Sequence, residues 1–396
     1  MKQNGAPIIV HFSQDFTYGK AQLGGFGRIT NLLDTNYHHI VFTVSMSDRL
    51  EGKTFETSSG VQVVQAPYSL NSGKFLKRGK TIAETISYFS GYLTQNSITP
   101  SLFFGHSQLE NYEVLNGIKK RLDLTTPVIW EFNAIWGALN VKGLKNRFVL
   151  LFFLRRRERR IVKEANALVF QTSSCVEYIN KLYGSPNGLI RVVTNAVSDV
   201  ISQSATNNNR PSPRRRVLVN GLFDSMNGLG IIVELLKNHW IQLNGSYEFH
   251  FYGKGQWEEE VRTCARNPGI YFHGTVSREE MQRIYGQFDF HLIPRLPSLE
   301  AQLFIPSKLL ESMSAGVVPI VSDVAAMTDL VTERVGFVAR SGSVQDLFEV
   351  LLRASKISEG DWHELSMASR SLIKSSFTVQ RNHEILAELY NKLLSR

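Results

Sequence analysis

Short apolar runs separated by polar loops recur along the chain, and most are too short for helices. Pro7 to Phe12 reads as a first buried strand. His39 to Ser45 alternates and reads as a second, and Val61 to Ala66, Leu102 to Gly105, Thr126 to Phe132 and Ala167 to Gln171 follow. Lys74 to Tyr92 opens with basic residues and becomes helical, and Thr172-Ser173 begins a helix to about Tyr183. Arg191 to Thr194 is a short strand ending at Asn195. Residues Asp199 to Arg216 then break the pattern: DVISQSATNNNRPSPRRR is polar, holds two prolines and has no periodicity, which marks a linker.

Beyond the linker the alternation resumes. Arg216 to Asn220, Tyr247 to Tyr252, Ile270 to His273, Phe290 to Ile293, Val317 to Val321 and Val335 to Val338 read as strands. Helices are expected from Ser277 to Tyr285, Ser343 to Ala354, Trp362 to Ser375 and Phe377 to Leu394. Strands alternating with helices give parallel sheets, whose ligands gather at the carboxyl ends of the strands. The expected organisation is a first domain over 1–198, a linker over 199–215, a second domain over 216–375 and a terminal helix over 376–396. A length of 396 residues suits two cores better than one.

The richest stretch is Phe288 to Asp323, FDFHLIPRLPSLEAQLFIPSKLLESMSAGVVPIVSD. The strand at Phe290 stops at Pro294, a polar loop runs to Pro306, and Ser307 stands as an N-cap before a short helix from Lys308 to Ala315. Gly316 is its stop signal. Strand, loop, helix and strand form a crossover unit with the helix amino end at the ligand edge, where free amides suit a phosphate. Lys308 and Glu311 lie three apart on one face of that helix, which suits a diphosphate beside a hydroxyl-rich group; an ordinary solvated ion pair has the same spacing.

Composition narrows the classes. The chain is 43% hydrophobic and 20% charged, hence globular. A net charge of +9 favours an anionic partner: ligand phosphates, nucleic acid or an acidic membrane surface. Two distant cysteines, Cys175 and Cys264, argue against a disulfide framework or a zinc site, and MKQNGAPIIVHFS lacks a signal-length apolar stretch, so a cytoplasmic location is expected. In VKGLKNRFVLLFFLRRRERRIVKE, Lys142 and Lys145 precede seven apolar residues, Phe148 to Leu154, and five arginines follow within Arg155 to Arg160. That segment is too short to span a bilayer but fits its interface; a buried helix with a solvated basic end is the alternative. Aromatics lie apart from the cations there, unlike a base-stacking surface, so no nucleic acid is expected.

Pro306, Ser307, Lys308, Leu309, Glu311, Met313, Gly316, Pro319, Ile320 and Val321 together resemble the donor-site signature of glycosyltransferase family 4, within the GT-B fold. The resemblance implies two Rossmann-like domains facing each other across a cleft, in an α/β chain. It implies a metal-independent, retaining hexosyl transfer from a nucleotide-diphosphate-sugar, a co-substrate rather than a cofactor, to a saccharide acceptor. Glu311 takes the place of the family's ribose-binding glutamate, the second of an E-x7-E pair. Leu303 stands where the first acid falls, and Glu300 is the nearest substitute.

Further residues are assigned by the same resemblance. Gly24 and Gly25 resemble the family's Gly-Gly pair after the first strand, though a tight turn explains such glycines equally well. His106 resembles the first of two strand-end histidines common in the family, a type of residue that is more often structural; Asn133 in PVIWEFNAIWG replaces the second, and Glu131 matches a glutamate of a related subgroup, so the two together are expected to contact the acceptor or the donor sugar. Gly221, Gly253, Thr275 and Val276 match donor-binding turns. Leu222 and Asn227 replace the family's phosphate-binding arginine and lysine, so Arg295 and Lys308 are the cations left for the diphosphate. The expected catalytic set is Glu300, Lys308, Glu311 and His106. The basic apolar segment suggests a lipid-linked acceptor at the inner membrane face, as in surface polysaccharide and lipopolysaccharide biosynthesis. A nucleotide-sugar epimerase and a non-catalytic sugar-nucleotide-binding or assembly subunit are the alternatives, the latter because of Leu303, Leu222 and Asn227.

Overall fold

The computed structural model describes residues 5–16, 28–45, 51–57, 60–69, 75–106, 108–136, 147–198 and 214–395. Gly24, Gly25, Lys142, Lys145 and most of the expected linker lie outside the described residues. The chain forms two compact units, Met1–Val193 with Asn382–Arg396, and Thr194–Arg381.

Unit 1 holds an eight-stranded sheet: β1 Ile8–Phe12, β2 His38–Ser45, β3 Lys53–Glu56, β4 Gln62–Ser69, β5 Leu102–His106, β6 Val128–Phe132, β7 Ala167–Phe170 and β8 Leu189–Val192. Their spatial order is β3-β4-β2-β1-β5-β6-β7-β8, parallel except for the β3–β4 pair. β1, β5, β6 and β7 are buried along their whole length, as strands covered on both faces must be. β1 lies between β2 and β5, so the chain order reverses at the β1–β5 pair. Such a reversal leaves a crevice beyond the carboxyl ends.

Unit 2 holds six parallel strands: β9 Arg215–Leu222, β10 Tyr247–Lys254, β11 Ile270–Gly274, β12 Phe290–Ile293, β13 Val318–Ser322 and β14 Phe337–Ala339, ordered β11-β10-β9-β12-β13-β14. Its reversal falls between β9 and β12. Gly228, left-handed at φ +76°, opens the helix Leu229–Leu243 there. A Cβ at Gly228 would stand 1.9 Å from the Pro294 carbonyl oxygen, so the loops after β9 and β12 meet backbone to backbone.

The units divide at Val193, five residues before the expected end of the first domain. Val197 packs with Ile293, Leu309 and Phe377, and its amide donates to the Phe377 carbonyl at 2.9 Å. The chain changes unit again after Arg381, within the helix Val379–Leu394. Leu386, Leu389, Tyr390 and Leu393 of that helix join Ile9, Leu102, Phe104 and Ile129 in one core cluster. A second difference lies in the stretch expected to be an irregular loop. Ser298 accepts from the Ala301 amide at 3.1 Å and caps a short helix, Leu299–Leu303.

Candidate functional site

In unit 2 the sequence-predicted cations meet at the β9–β12 reversal. Helix Ser307–Ser314 starts one residue earlier than expected: Pro306 is the N-cap, and with no side-chain oxygen to offer it makes no side-chain cap bond. Ser307 is therefore the exposed first residue of the helix rather than its cap. Lys308 reaches back over the β9 loop, its Nζ donating to the Asn220 carbonyl at 2.8 Å and to Asn227 Oδ1 at 3.4 Å. A Cβ on Gly221 would lie 3.2 Å from that Nζ, and one on Gly253 would strike the Gly221 carbonyl oxygen at 2.0 Å. Both glycines keep the loop low enough for the lysine to cross it.

Burial of the ammonium, then the Arg295 guanidinium, lower the Lys308 pKa to about 8 against the pull of Asp224. Arg295 is buried, donates through Nη1 to the Phe304 carbonyl at 3.0 Å, and leaves Nε without a partner. Desolvation lowers its pKa, with Glu300 and Asp224 opposing. Glu300 itself is exposed in the first turn of Leu299–Leu303, while Leu303, at the family's acid position, is buried.

Glu311 is buried, and its carboxylate is already engaged. Arg278 donates to Oε1 through Nε at 3.2 Å and Nη2 at 2.8 Å, and the Tyr285 hydroxyl donates to Oε2 at 3.2 Å. Asn220 Nδ2 donates in turn to the Tyr285 oxygen at 3.1 Å. With four lone-pair positions and three donors, Glu311 keeps room for one more hydroxyl in this arrangement. Thr275 is exposed, and Val276 packs against Met281 and Phe288 just before Arg278, so this turn and Glu311 are tied by the arginine. Leu309 is different: its side chain is core and its amide, in the first turn of the helix, donates to the Pro306 carbonyl at 3.1 Å, so only its backbone faces the amino end.

In unit 1, His106 at the end of β5 and Glu131, one residue before the end of β6, are in register, and both are fully buried. Glu131 accepts from His106 Nδ1 at 2.6 Å, and its Oε1 accepts from Arg28 Nε at 2.7 Å, with Arg28 Nη2 at 2.5 Å. Burial alone would raise the Glu131 pKa, but the Arg28 charge and His106 outweigh it and hold it at about 2. Asn133 Nδ2 donates to Glu131 Oε2 at 3.1 Å, and Asn133 Oδ1 accepts from Arg28 and from Gln171. His106 Nε2 faces His11 at 3.0 Å, so neither ring nitrogen is open to a ligand. The histidine therefore acts on anything bound here through Glu131.

Sequence reasoning reached Lys308, Glu311, Arg295 and the Glu131–Asn133 pair. It missed Arg278, Tyr285, Asn220, Arg28 and His11 as their partners, because each comes from a distant strand or helix. Arg278, placed two residues after Val276, and Asn220, next to Gly221, lay near recognised turns.

Residues 214–356 match the family model described as Glycosyl transferases group 1. No curated protein sequence matches the chain. Among solved structures, the fold is similar to sucrose-phosphate synthase from Thermosynechococcus elongatus, with a TM-score of 0.76 at 14% identity, over 98% of this chain and 99% of that one. It is similar also to a glycosyltransferase from Rickettsia africae, TM-score 0.73 at 12% identity over 99% and 100% of the chains. HepE from Anabaena, in complex with UDP and glucose, gives 0.68 at 12% over 98% and 100%. Unit 2 thus carries a group 1 glycosyltransferase domain, and the chain has the GT-B fold, an α/β architecture of two parallel-sheet units.

Proposed function

We propose that the chain moves a hexose from a nucleotide-diphosphate-sugar to a saccharide acceptor, with retention at the anomeric carbon and without a metal ion. The observation that carries this reading is Lys308, an ammonium laid over Asn220 and Gly221 beside the uncapped amino end of its own helix. Its charge and those amides suit a diphosphate, and stabilising the departing diphosphate is the main electrostatic demand of the transfer. Arg295 adds a second cation whose Nε is unspent. Glu311 offers its remaining lone pair to a ribose hydroxyl, and Glu300, exposed nearby in sequence, is assigned to the transferred sugar. UDP appears in the HepE complex, which makes uridine diphosphate the first donor to test.

The acceptor is assigned to unit 1 and to a lipid-linked saccharide of surface polysaccharide synthesis. Support comes from helix Arg147–Glu164, where Phe152 is 61% and Phe153 49% exposed beside exposed Arg155, Arg156, Arg159 and Arg160. Exposed aromatics flanked by cations suit an anionic lipid surface. Among the described residues no helix is long and apolar enough to cross a membrane, so any contact is at the surface.

Replacing Lys308 by Ala is expected to lower sugar transfer by about 10²- to 10³-fold, the usual effect of removing one donor to the developing charge. Glu311→Ala should mainly raise KM for the donor. Full activity in both variants would remove the assignment of these residues; no transfer by the wild-type protein from a donor it binds would favour a non-catalytic sugar-nucleotide-binding subunit, for which the exposed Leu222 and Asn227, turned onto Asp224, already speak.

A further inference from the structure

A line of four hydrogen bonds runs through the interior of unit 1, independent of any donor-site assignment. The Asp34 carbonyl oxygen lies 2.9 Å from His39 Nε2, and His39 Nδ1 lies 2.9 Å from His11 Nε2. His11 Nδ1 is 3.0 Å from His106 Nε2, and His106 Nδ1 is 2.6 Å from Glu131 Oε2. His11, His106 and Glu131 have no exposed surface and His39 has 8%. All six imidazole nitrogens are used.

Each hydrogen bond needs one proton between its two heavy atoms, so the line needs four. Three neutral imidazoles carry three N–H groups. Neither end can make up the difference: a carbonyl has no proton to give, and Glu131 is ionised by the Arg28 guanidinium. If every N–H points toward Asp34, His106 Nδ1 turns a lone pair on the carboxylate at 2.6 Å. If every N–H points toward Glu131, His39 Nε2 turns a lone pair on the Asp34 carbonyl at 2.9 Å. Both directions leave two buried acceptors in contact, which costs the desolvation of each without a bond in return.

We propose that His39, His11 and His106 together hold one proton more than three neutral rings, a shared buried cation facing Glu131 that makes the carboxyl-terminal edge of β1, β5 and β6 sensitive to pH. The proton belongs to the line as a whole. Burial, then the neighbouring rings, push His11 well down, and burial takes His39 to about 4, so neither ring holds the charge by itself and it is the count of hydrogen bonds across the line that requires the extra proton. Among the described residues, these other groups face the line. Arg28 stands on the far oxygen of Glu131; Asp34, His38 and His383 act on His39; Tyr37 lies edge-on to His39; and Tyr390 is close enough to sense Asp34 and Glu131. Phe104 stacks on His11 and His106 and brings no charge. An unfolded histidine gives up its proton near pH 6.5. The extra proton therefore stabilises unit 1 fully below that value, and its contribution is lost as pH rises through the point where the folded line releases it.

The test is a count of ring protons. Protein labelled with 15N-histidine, held at about pH 8 and so above the ordinary histidine value of about 6.5, is read by two-bond 1H–15N correlation of the imidazoles. Four protonated nitrogens among His11, His39 and His106, one ring carrying two, are expected. In Glu131→Gln the amide can donate to His106 Nδ1, so the count should fall to three with the four bonds kept. Three protonated nitrogens in the wild-type protein, one per ring, would overturn the proposal whether or not the variant folds.

Discussion

Lys308 sits where burial and Arg295 disfavour its charge, and its pKa of about 8 makes ligand binding depend on pH in a definite direction. Below pH 8 the ammonium is charged before an anion arrives. Above it, binding must first draw in a proton, so affinity for a nucleoside diphosphate should fall by about tenfold per pH unit above about 8 until the complex itself gives up the proton, whereas the unfolded chain keeps the ordinary lysine value of about 10.4. Titration calorimetry with UDP at several pH values checks this, and Lys308→Arg should flatten the profile. The same shift acts on folding with the opposite outcome. The unfolded chain holds the proton longer, so stability rises between the two values as the buried charge is neutralised. Beside it, Arg278 holds Glu311 with two nitrogens, a contact between residues 33 apart that no local pattern announces. The sequence made Glu311 visible through its motif; its partners were invisible because the fold alone brings β9 and the helix Arg278–Ile284 to it.

Helix Ser307–Ser314 and its flanking strands were legible almost to the residue, because an apolar run, a proline, a periodic segment and Gly316 punctuate them in turn. Leu299–Leu303 was not: five residues are too few for a helical period to show. The β3–β4 pair was also unread, since β3 is four residues long and half exposed. Helix Arg147–Glu164 was ambiguous between a buried and an interfacial role. Its inner face is now clear: Ile161 and Val162 are core, and Glu158 is buried, with its carboxylate accepting from the Trp136 amide at 2.6 Å. Its outer face leaves Phe152 and Phe153 with solvent. Replacing both by Ser should abolish sedimentation with vesicles of anionic lipid and leave binding of UDP unchanged; vesicle binding equal to that of the wild-type protein would refute the membrane-surface role.

At the scale of the whole chain, two parallel sheets each reverse order once, and the polar residues of interest gather at those reversals: His106 and Glu131 in unit 1, Lys308, Arg295 and Glu311 in unit 2. Alternating strands and helices announced this architecture, since parallel sheets follow from the pattern and ligand edges follow from the sheets. The division at Val193 was not legible, because Thr194 to Ser198 carry no break in composition and join unit 2 through the Val197 contacts. The central claim is that unit 2 binds a nucleoside diphosphate through Lys308. Thermal unfolding against UDP, GDP, ADP and their sugars tests it most directly, because a ligand at a hundred times its dissociation constant adds about 2.7 kcal/mol to the folded state. The account predicts a clear rise in Tm with one nucleotide family, lost in Lys308→Ala; no rise with any of them, or a rise that survives that substitution, would contradict it.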